Sequence, residues 1–203
     1  MRWARGLLPA IAATLLIAPI PGAAQNVDLG DLYKRGITFE EFLSDVERRS
    51  ETWESNYENG APTHQAVEAA RAVGAPIKFL VVAEDWCHDS ANTVPYLVRL
   101  AEQVEGWDVR VLNSSTGRAV MNANRTPDGR ASTPTIVVLD QNDETLGVFV
   151  ERPAVLQDWF QQNKDEIERR ELMEQKSTWY AEDAGEETLR ELIELARGEG
   201  SES

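Results

Sequence analysis

A single cysteine, Cys87, stands in the 203 residues of this chain. One thiol cannot form a disulfide within the chain, so the fold must be stabilised by burial of apolar side chains rather than by cross-links. Histidine is almost as scarce, because the chain holds only His64 and His88, far apart in sequence. No ligand cluster accompanies either histidine, and the sequence therefore predicts no metal site.

Positive charge is also in short supply. The chain carries 20 Lys and Arg against 35 Asp and Glu, which gives a formal net charge of −15 at pH 7. Such a surface repels nucleic acid and anionic lipid, so neither is expected as a partner. The phosphate-binding loop, the dinucleotide glycine pattern and the serine nucleophile elbow are all missing. We therefore expect no bound cofactor.

Long apolar runs are missing after the first 24 residues. Those residues carry Arg2 and Arg5 but no acid, and an apolar run follows over residues 6–18. Prolines and the small residues Gly22-Ala23-Ala24 come next, the pattern of a secretory signal peptide over residues 1–24 that is cleaved after Ala24. A transmembrane anchor is the weaker interpretation, because the run is shorter than the ~20 residues that a bilayer requires. We expect a periplasmic or secreted protein without stable membrane association.

Apolar spacing divides the rest of the chain into helices and strands. A polar lead-in over residues 25–37 precedes a helix that begins at the capping box Thr38–Glu41 and runs through Tyr57. Strands are predicted over residues 77–83, 107–112, 135–139 and 146–150. Helices are predicted over residues 63–73, 94–104, 116–124 and 155–174 and around 189–195. This order predicts an α/β sandwich in which helices flank a mixed sheet of about four strands.

The length after the signal peptide suits one domain with a sizeable core. We place that domain over residues 38–175, with its N-terminal helices included. A C-terminal helical extension follows over residues 176–197, and a disordered tail over residues 198–203. The charged run over residues 164–174 is most simply a solvated helix face.

Cys87 lies where a buried strand gives way to a helix, in the stretch Glu84-Asp-Trp-Cys-His-Asp-Ser90. The free N–H groups of a helix start stabilise a thiolate, which is the nucleophile of thiol–disulfide exchange. Ser90 is expected to point its hydroxyl at the sulfur, and Trp86 to shield one side of the thiol. The alternative is an inert core residue, because free cysteine is often buried. The junction favours a functional thiol.

A strand that ends in W-C-x-x-S, a following helix and a later strand that opens with S-T-P-T resemble the thioredoxin-like superfamily. More closely, E-D-W-C-H-D-S resembles a bacterial branch whose signature is D-W-C-G-D followed by a small residue. The similarity extends from the first predicted helix through Arg152-Pro153 and includes Thr126-Pro127-Asp128-Gly129. It identifies the domain over residues 38–175 as a thioredoxin-like sandwich with additional helices at both ends.

The resemblance implies that Pro134 is cis and lies against Cys87, and that the backbone of Thr133 pairs with a bound substrate. Trp86 would contribute to the same substrate-binding surface. The sequence also departs from the thioredoxin pattern, because Ser90 stands where the second cysteine would be. No intramolecular disulfide can then release a mixed-disulfide substrate.

Two other departures concern charge. Val81 stands where many thioredoxins carry a buried acid, which leaves Glu84, Asp85 or Asp89 as alternative proton carriers. His88 replaces the glycine of the branch signature, and an imidazolium there would favour the thiolate. Asp85 and Asp89 oppose this effect with negative charge.

Two functions remain open from the sequence. In the first, Cys87 performs monothiol exchange of the isomerisation or deglutathionylation type on protein or small disulfides, with Ser90 and His88 in support. An external thiol such as glutathione then acts as co-substrate and resolves the mixed disulfide. In the second, the chain is a non-catalytic module that binds peptides in the groove beside Pro134, because this fold serves both purposes. The sequence leaves the oligomeric state open.

Overall fold

The computed structural model describes residues 27–199, and within them four strands form one mixed sheet. The strands are β1 (Ile77–Val82), β2 (Trp107–Leu112), β3 (Thr135–Leu139) and β4 (Thr145–Val150). β1 pairs parallel with β2 and antiparallel with β3, and β3 forms an antiparallel hairpin with β4. The resulting order is β2-β1-β3-β4. The predicted thioredoxin-like α/β fold, with its four-stranded mixed sheet and extra C-terminal helices, is confirmed.

Helices cover both faces of this sheet. In chain order they are α1 (Leu29–Arg35), α2 (Phe39–Ser44), α3 (Ser50–Asn59), α4 (His64–Arg71), α5 (His88–Ala91), α6 (Val94–Ala101), α7 (Arg118–Ala123), α8 (Ala154–Asn163), α9 (Arg169–Asp183) and α10 (Glu186–Ala196). α3, α4, α6 and α10 contribute to the larger apolar cluster on one face, and α1 and α7 contribute to the smaller cluster on the other.

β1 is the central strand because its side chains are apolar on both faces. Phe79 and Val81 belong to the larger cluster, and Leu80 and Val82, which alternate with them, belong to the smaller one. All four side chains are fully buried. A strand buried on both faces reads as an unbroken apolar run, and this feature made β1 recognisable in the sequence.

The lead-in predicted over residues 25–37 is not merely a polar connection. It contains α1, which begins after the N-cap Asp28, whose carboxylate accepts a hydrogen bond from the N–H of Asp31 at 2.8 Å. Leu32 is buried in the smaller cluster and docks α1 on the sheet. A helix this short carries too few apolar positions to show a period, so its polar composition hid it.

The single leading helix predicted from Thr38 through Tyr57 is wrong, because the structure divides it into α2 and α3. The capping box at its start is confirmed, since Thr38 Oγ1 accepts from the N–H of Glu41 and Glu41 Oε2 accepts from the N–H of Thr38. The break has a tertiary cause. Asp85 Oδ2 accepts hydrogen bonds from the N–H groups of Glu47 and Arg48 at 3.2 and 3.0 Å.

The long helix predicted over residues 155–174 is also interrupted, because α8 ends at Asn163 and α9 begins at Arg169. α9 then runs without a break to Asp183, across the predicted boundary between domain and extension at residue 175. The charged run is not a purely solvated face, since Leu172 within it is buried. The burial of Leu172 joins α9 to the rest of the domain.

The signal peptide predicted over residues 1–24 and residues 200–203 of the predicted tail lie outside the described residues. Between residues 27 and 199, no helix combines the length and the apolar character that crossing a bilayer demands. The same residues contain no group of three or more histidine, cysteine or acidic side chains that could hold a metal ion.

Candidate active site around Cys87

Cys87 is the N-cap residue of α5, directly after the loop that leaves β1. Its backbone N–H donates to the carbonyl of Glu84 at 3.0 Å, which closes a tight turn. The loop is held from the side by Trp53, whose indole Nε1–H donates to the carbonyl of Asp85 at 2.9 Å. Trp53 is fully buried, so the apolar core itself fixes the position of the thiol.

The sulfur of Cys87 lies between two backbone groups. Its S–H donates to the carbonyl oxygen of Thr133 at 3.1 Å, and Sγ accepts the N–H of Ser90 at 3.4 Å. Thr133 reaches the thiol because Thr135 at the start of β3 pairs with Val82 at the end of β1. The Thr133–Pro134 peptide bond is cis. The segment that lies against Cys87 in the structure, Thr133-Pro134, is therefore the one that the resemblance indicated.

Ser90 supports the sulfur with its backbone and not with its hydroxyl. The sequence predicted that the hydroxyl would point at the sulfur, but Ser90 Oγ is fully buried and has no hydrogen-bond partner among the described residues. The contact comes from the N–H because an N-cap side chain accepts from the backbone two or three positions later. Here the N-cap side chain is the thiol itself.

His88 does not contribute the imidazolium that the sequence suggested. Burial lowers its pKa from the ordinary 6.5 to about 4, and the positive charge of Lys176 adds to this effect while Asp89 opposes it. The ring lies against α9, where Nε2 and the hydroxyl of Ser177 are 3.1 Å apart. At neutral pH the histidine is therefore neutral.

This shift predicts an acid-labile contribution to stability. The unfolded chain protonates His88 near pH 6.5, whereas the folded chain resists protonation down to about pH 4. The unfolded state therefore binds more protons between these values, and stability falls as the pH drops through that window. We expect a loss of about 1–2 kcal/mol from this group, because solvent screens the partly exposed ring.

The measurement is urea unfolding at about pH 7 and about pH 4.5. His88→Gln should lose less stability over this interval than the parent. His64→Gln is the matched control, because His64 is the other histidine and is exposed at the start of α4. Equal pH dependence in the parent and both variants would contradict the assignment.

Asp89, two residues after the thiol, is a buried carboxylate with three partners from other parts of the chain. Lys176 Nζ lies 3.0 Å from each of its oxygens, and the Tyr180 hydroxyl donates to Oδ1 at 2.9 Å. Arg152 Nη2 lies 3.4 Å from Oδ2. Burial, reinforced by the charge of Asp89, raises the pKa of Tyr180 well above its ordinary value, so the hydroxyl keeps its proton and donates.

A second buried carboxylate extends this ionic network. Glu151 Oε1 forms an ion pair with Arg152 Nη2 at 2.8 Å and accepts a hydrogen bond from Arg130 Nη1 at 3.0 Å. Arg130 in turn contacts Asp128 at 2.9 Å, and this hydrogen bond, together with one from the Thr126 hydroxyl, lowers the pKa of the Asp128 carboxyl. Two buried acids, Asp89 and Glu151, are thus each balanced by buried or half-buried cations, as buried charges require.

Cys87 opens into a pocket of about 580 Å³. Trp86 stands at its edge with 51 % of its surface exposed, so it lines the pocket and does not enclose the thiol as the sequence suggested. Arg49 and Arg118 line the same pocket, and Met121 supplies an apolar wall. The pocket gives a substrate access to a sulfur that is itself only 8 % exposed.

The alternative proton carriers are engaged elsewhere. Glu84 Oε1 accepts from the N–H of Ser114 at 2.7 Å, and Asp85 caps the break between α2 and α3. Asp89 belongs to the ionic network described above. Val81, at the position of the thioredoxin acid, is fully buried in the larger apolar cluster. These carboxylates are therefore bound to other groups that hold the structure of the site.

Of the six predicted site residues, four line one pocket, whereas Ser90 and Pro134 are buried and do not line it. Cys87, His88, Trp86 and Thr133 all line the pocket. The sequence missed the partners from distant segments, which are Arg49, Arg118, Arg130, Glu151, Arg152, Lys176 and Tyr180. The one local signal was Arg152-Pro153, which lies in the stretch that resembles the thioredoxin-like superfamily. Nothing in the sequence distinguished Lys176 or Tyr180 from the other polar residues of α9.

Comparisons with known proteins agree with this fold. A family model described as Thioredoxin matches residues 36–175. A crystal structure of a protein of unknown function from Pseudomonas aeruginosa is 18 % identical, with a TM-score of 0.65 over 83 % of this chain and 96 % of that one. An HIV epitope scaffold is also 18 % identical, with a TM-score of 0.61 over 83 % of this chain and 97 % of its own. No curated protein matches. Identities this low show the fold alone.

Proposed function

The chain belongs to the thioredoxin family, and on that premise we propose that it performs monothiol thiol–disulfide exchange through Cys87. An external thiol, with glutathione as the simplest example, resolves the mixed disulfide because the chain carries no second cysteine. The single-cysteine motif E-D-W-C-H-D-S resembles the signature of the bacterial branch named above. The signal peptide would export the protein to a compartment where substrate disulfides persist.

The reaction has two exchange steps. The Cys87 thiolate attacks one sulfur of a substrate disulfide, that S–S bond breaks, and the second substrate sulfur leaves as a thiolate that takes a proton from water. An external thiolate then attacks the substrate sulfur of the mixed disulfide, and Cys87 leaves as a thiolate. Over the two steps, one substrate sulfur becomes a thiol and the external thiol is oxidised into a disulfide with the other substrate sulfur, which is the balance of deglutathionylation; isomerisation follows when another thiol of the substrate itself attacks the mixed disulfide.

The observation that carries this proposal is the setting of the sulfur. Cys87 Sγ faces a pocket and accepts the N–H of Ser90 at 3.4 Å, a contact that stabilises negative charge on the sulfur. The carbonyl of Thr133 lies 3.1 Å away and accepts the S–H when the thiol is protonated. A merely structural cysteine has no need of an open pocket or of polar contacts on two sides.

The test is adduct formation measured by intact mass. Glutathione disulfide should add one glutathione to the folded parent, and a reductant should remove it. Cys87→Ser should show no adduct, because it removes the chain's one sulfur capable of exchange. The same measurement on exported protein reports whether residues 1–24 are absent.

A thiol that resists both glutathione disulfide and iodoacetamide in the folded state, but reacts once the chain is unfolded in urea, would contradict exchange chemistry. The binding module with its groove beside Pro134 would then be the better description. Peptide binding that survives Cys87→Ser would be its signature, because that function needs the groove and not the sulfur.

A further inference from the structure

Two arginines at the mouth of the Cys87 pocket are exposed and carry no acidic partner. Arg49 and Arg118 both line the pocket, and neither forms an ion pair with any residue between 27 and 199. The chain has a net charge of −15, so acids to neutralise them are plentiful elsewhere on the surface. Cations left unneutralised beside a reactive group on an acidic protein are suited to an anionic ligand.

Arg49 is held in place by its backbone and by its side chain. Its Nε–H donates to the carbonyl of Trp86 at 2.8 Å, which leaves both terminal guanidinium nitrogens free for a ligand. Its φ angle is 57°, in the left-handed region that non-glycine residues seldom adopt. The break between α2 and α3 therefore fixes this guanidinium next to the residue that precedes Cys87.

Arg118 is positioned by a different element, α7. It is the first residue of α7, and Gly117 before it packs directly on β1. A Cβ added to Gly117 would lie 2.4 Å from Cγ2 of Val82, so only glycine allows this close approach. The contact seats the start of α7 beside the end of β1, where the Cys87 loop begins.

The acids of the pocket do not compete for these arginines. Asp89 and Glu151 line it, but both are buried and bound by Lys176, Arg152 and Arg130. A ligand that enters therefore meets the free charges of Arg49 and Arg118 and the exposed face of Trp86.

We propose that the pocket binds small disulfides that carry carboxylates, with Arg49 and Arg118 as the carboxylate ligands and Trp86 as the apolar contact. A volume of about 580 Å³ suits a molecule the size of a peptide disulfide such as glutathione disulfide. Arginine is matched to this task because its planar guanidinium binds a carboxylate through two parallel hydrogen bonds. This inference rests on the proposed exchange at Cys87 and adds that the substrate is negatively charged.

The experiment compares three disulfides of different charge at low ionic strength, with the rate of Cys87 adduct formation measured by intact mass. The probes are anionic glutathione disulfide, neutral 2-hydroxyethyl disulfide and cationic cystamine. The parent should favour glutathione disulfide, and high salt should reduce the preference. Arg49→Gln/Arg118→Gln should slow the glutathione disulfide reaction by about tenfold and slow the neutral reaction much less, so that the preference for the anionic disulfide is lost.

The matched control is Arg48→Gln/Arg170→Gln, which removes the same charge outside the pocket and keeps the backbone N–H of Arg48 on Asp85. It should retain the preference of the parent. A parent that reacts equally fast with all three probes, or a control that loses as much as the pocket variant, would overturn the inference and leave exchange at Cys87 standing. If none of the three probes forms an adduct, the proposed function itself fails.

Discussion

Replacing Lys176 by methionine is expected to lower the free energy of unfolding by about 3–5 kcal/mol. Lys176 Nζ contacts both oxygens of Asp89 at 3.0 Å, and each of the two side chains is less than a tenth exposed. Methionine fills a similar volume but carries no charge. The buried carboxylate of Asp89 is then stabilised only by Arg152 and Tyr180. Stability is lost because the charge of Asp89 stays buried without its partner, and not only because the attraction between the two charges is removed.

The double variant Asp89→Asn/Lys176→Met separates these two causes. It removes both charges, so it should recover most of the stability that Lys176→Met loses. Lys164→Met is the matched control, because Lys164 is half-buried and lies 3.9 Å from Asp128, a pair worth less than about 1 kcal/mol. Urea unfolding followed by tryptophan fluorescence gives all three values. If Lys176→Met lowers the free energy of unfolding as little as Lys164→Met does, the buried carboxylate of Asp89 does not depend on its contact with Lys176 of α9.

Ser90→Cys should reduce insulin with dithiothreitol as donor measurably faster than the parent does. Cys87 Sγ already lies 3.4 Å from the backbone nitrogen of residue 90, and the two positions are one helical turn apart. A thiol at position 90 can therefore reach the sulfur of Cys87 and close a disulfide. The substitution sacrifices no hydrogen bond, because Ser90 Oγ has no partner among the described residues.

Two measurements report this gain. Insulin precipitation should be measurably faster with Ser90→Cys than with the parent. Oxidation should consume both thiols of the variant without forming dimers. The control is Cys87→Ser/Ser90→Cys, which carries one thiol on the other side of the turn. Its insulin precipitation should remain at the uncatalysed background. Turnover in that control, or two free thiols after oxidation of Ser90→Cys, would contradict the assigned geometry.

The elements that the sequence predicted correctly are those whose pattern is local. β1 was predicted because its run is apolar apart from Lys78, and β3 and β4 were paired because a polar turn separates two short apolar runs. The capping box at Thr38 was predicted because both of its hydrogen bonds join residues three positions apart. Local spacing carries such information directly.

The features that the sequence missed depend on contacts between distant residues. The helix break before α3 depends on Asp85, whose carboxylate binds a backbone N–H 37 residues earlier. Asp89 and Lys176 are 87 residues apart, and nothing near Lys176 distinguishes it from the exposed charges of α9. The neutral state of His88 follows from burial against that helix. No pattern within a segment encodes which segment will cover it.

The short bridge between Ile37 and Val111 has a consequence for the behaviour of the protein at high concentration. β2 is an outer strand of the sheet, and the backbone of Ile37 exchanges two hydrogen bonds of 3.0 and 2.9 Å with Val111 on its free side. An uncovered strand edge is a template on which another polypeptide can add. Proteolytic trimming up to Ile37 would expose this edge, so the trimmed protein should self-associate where the longer one stays dispersed.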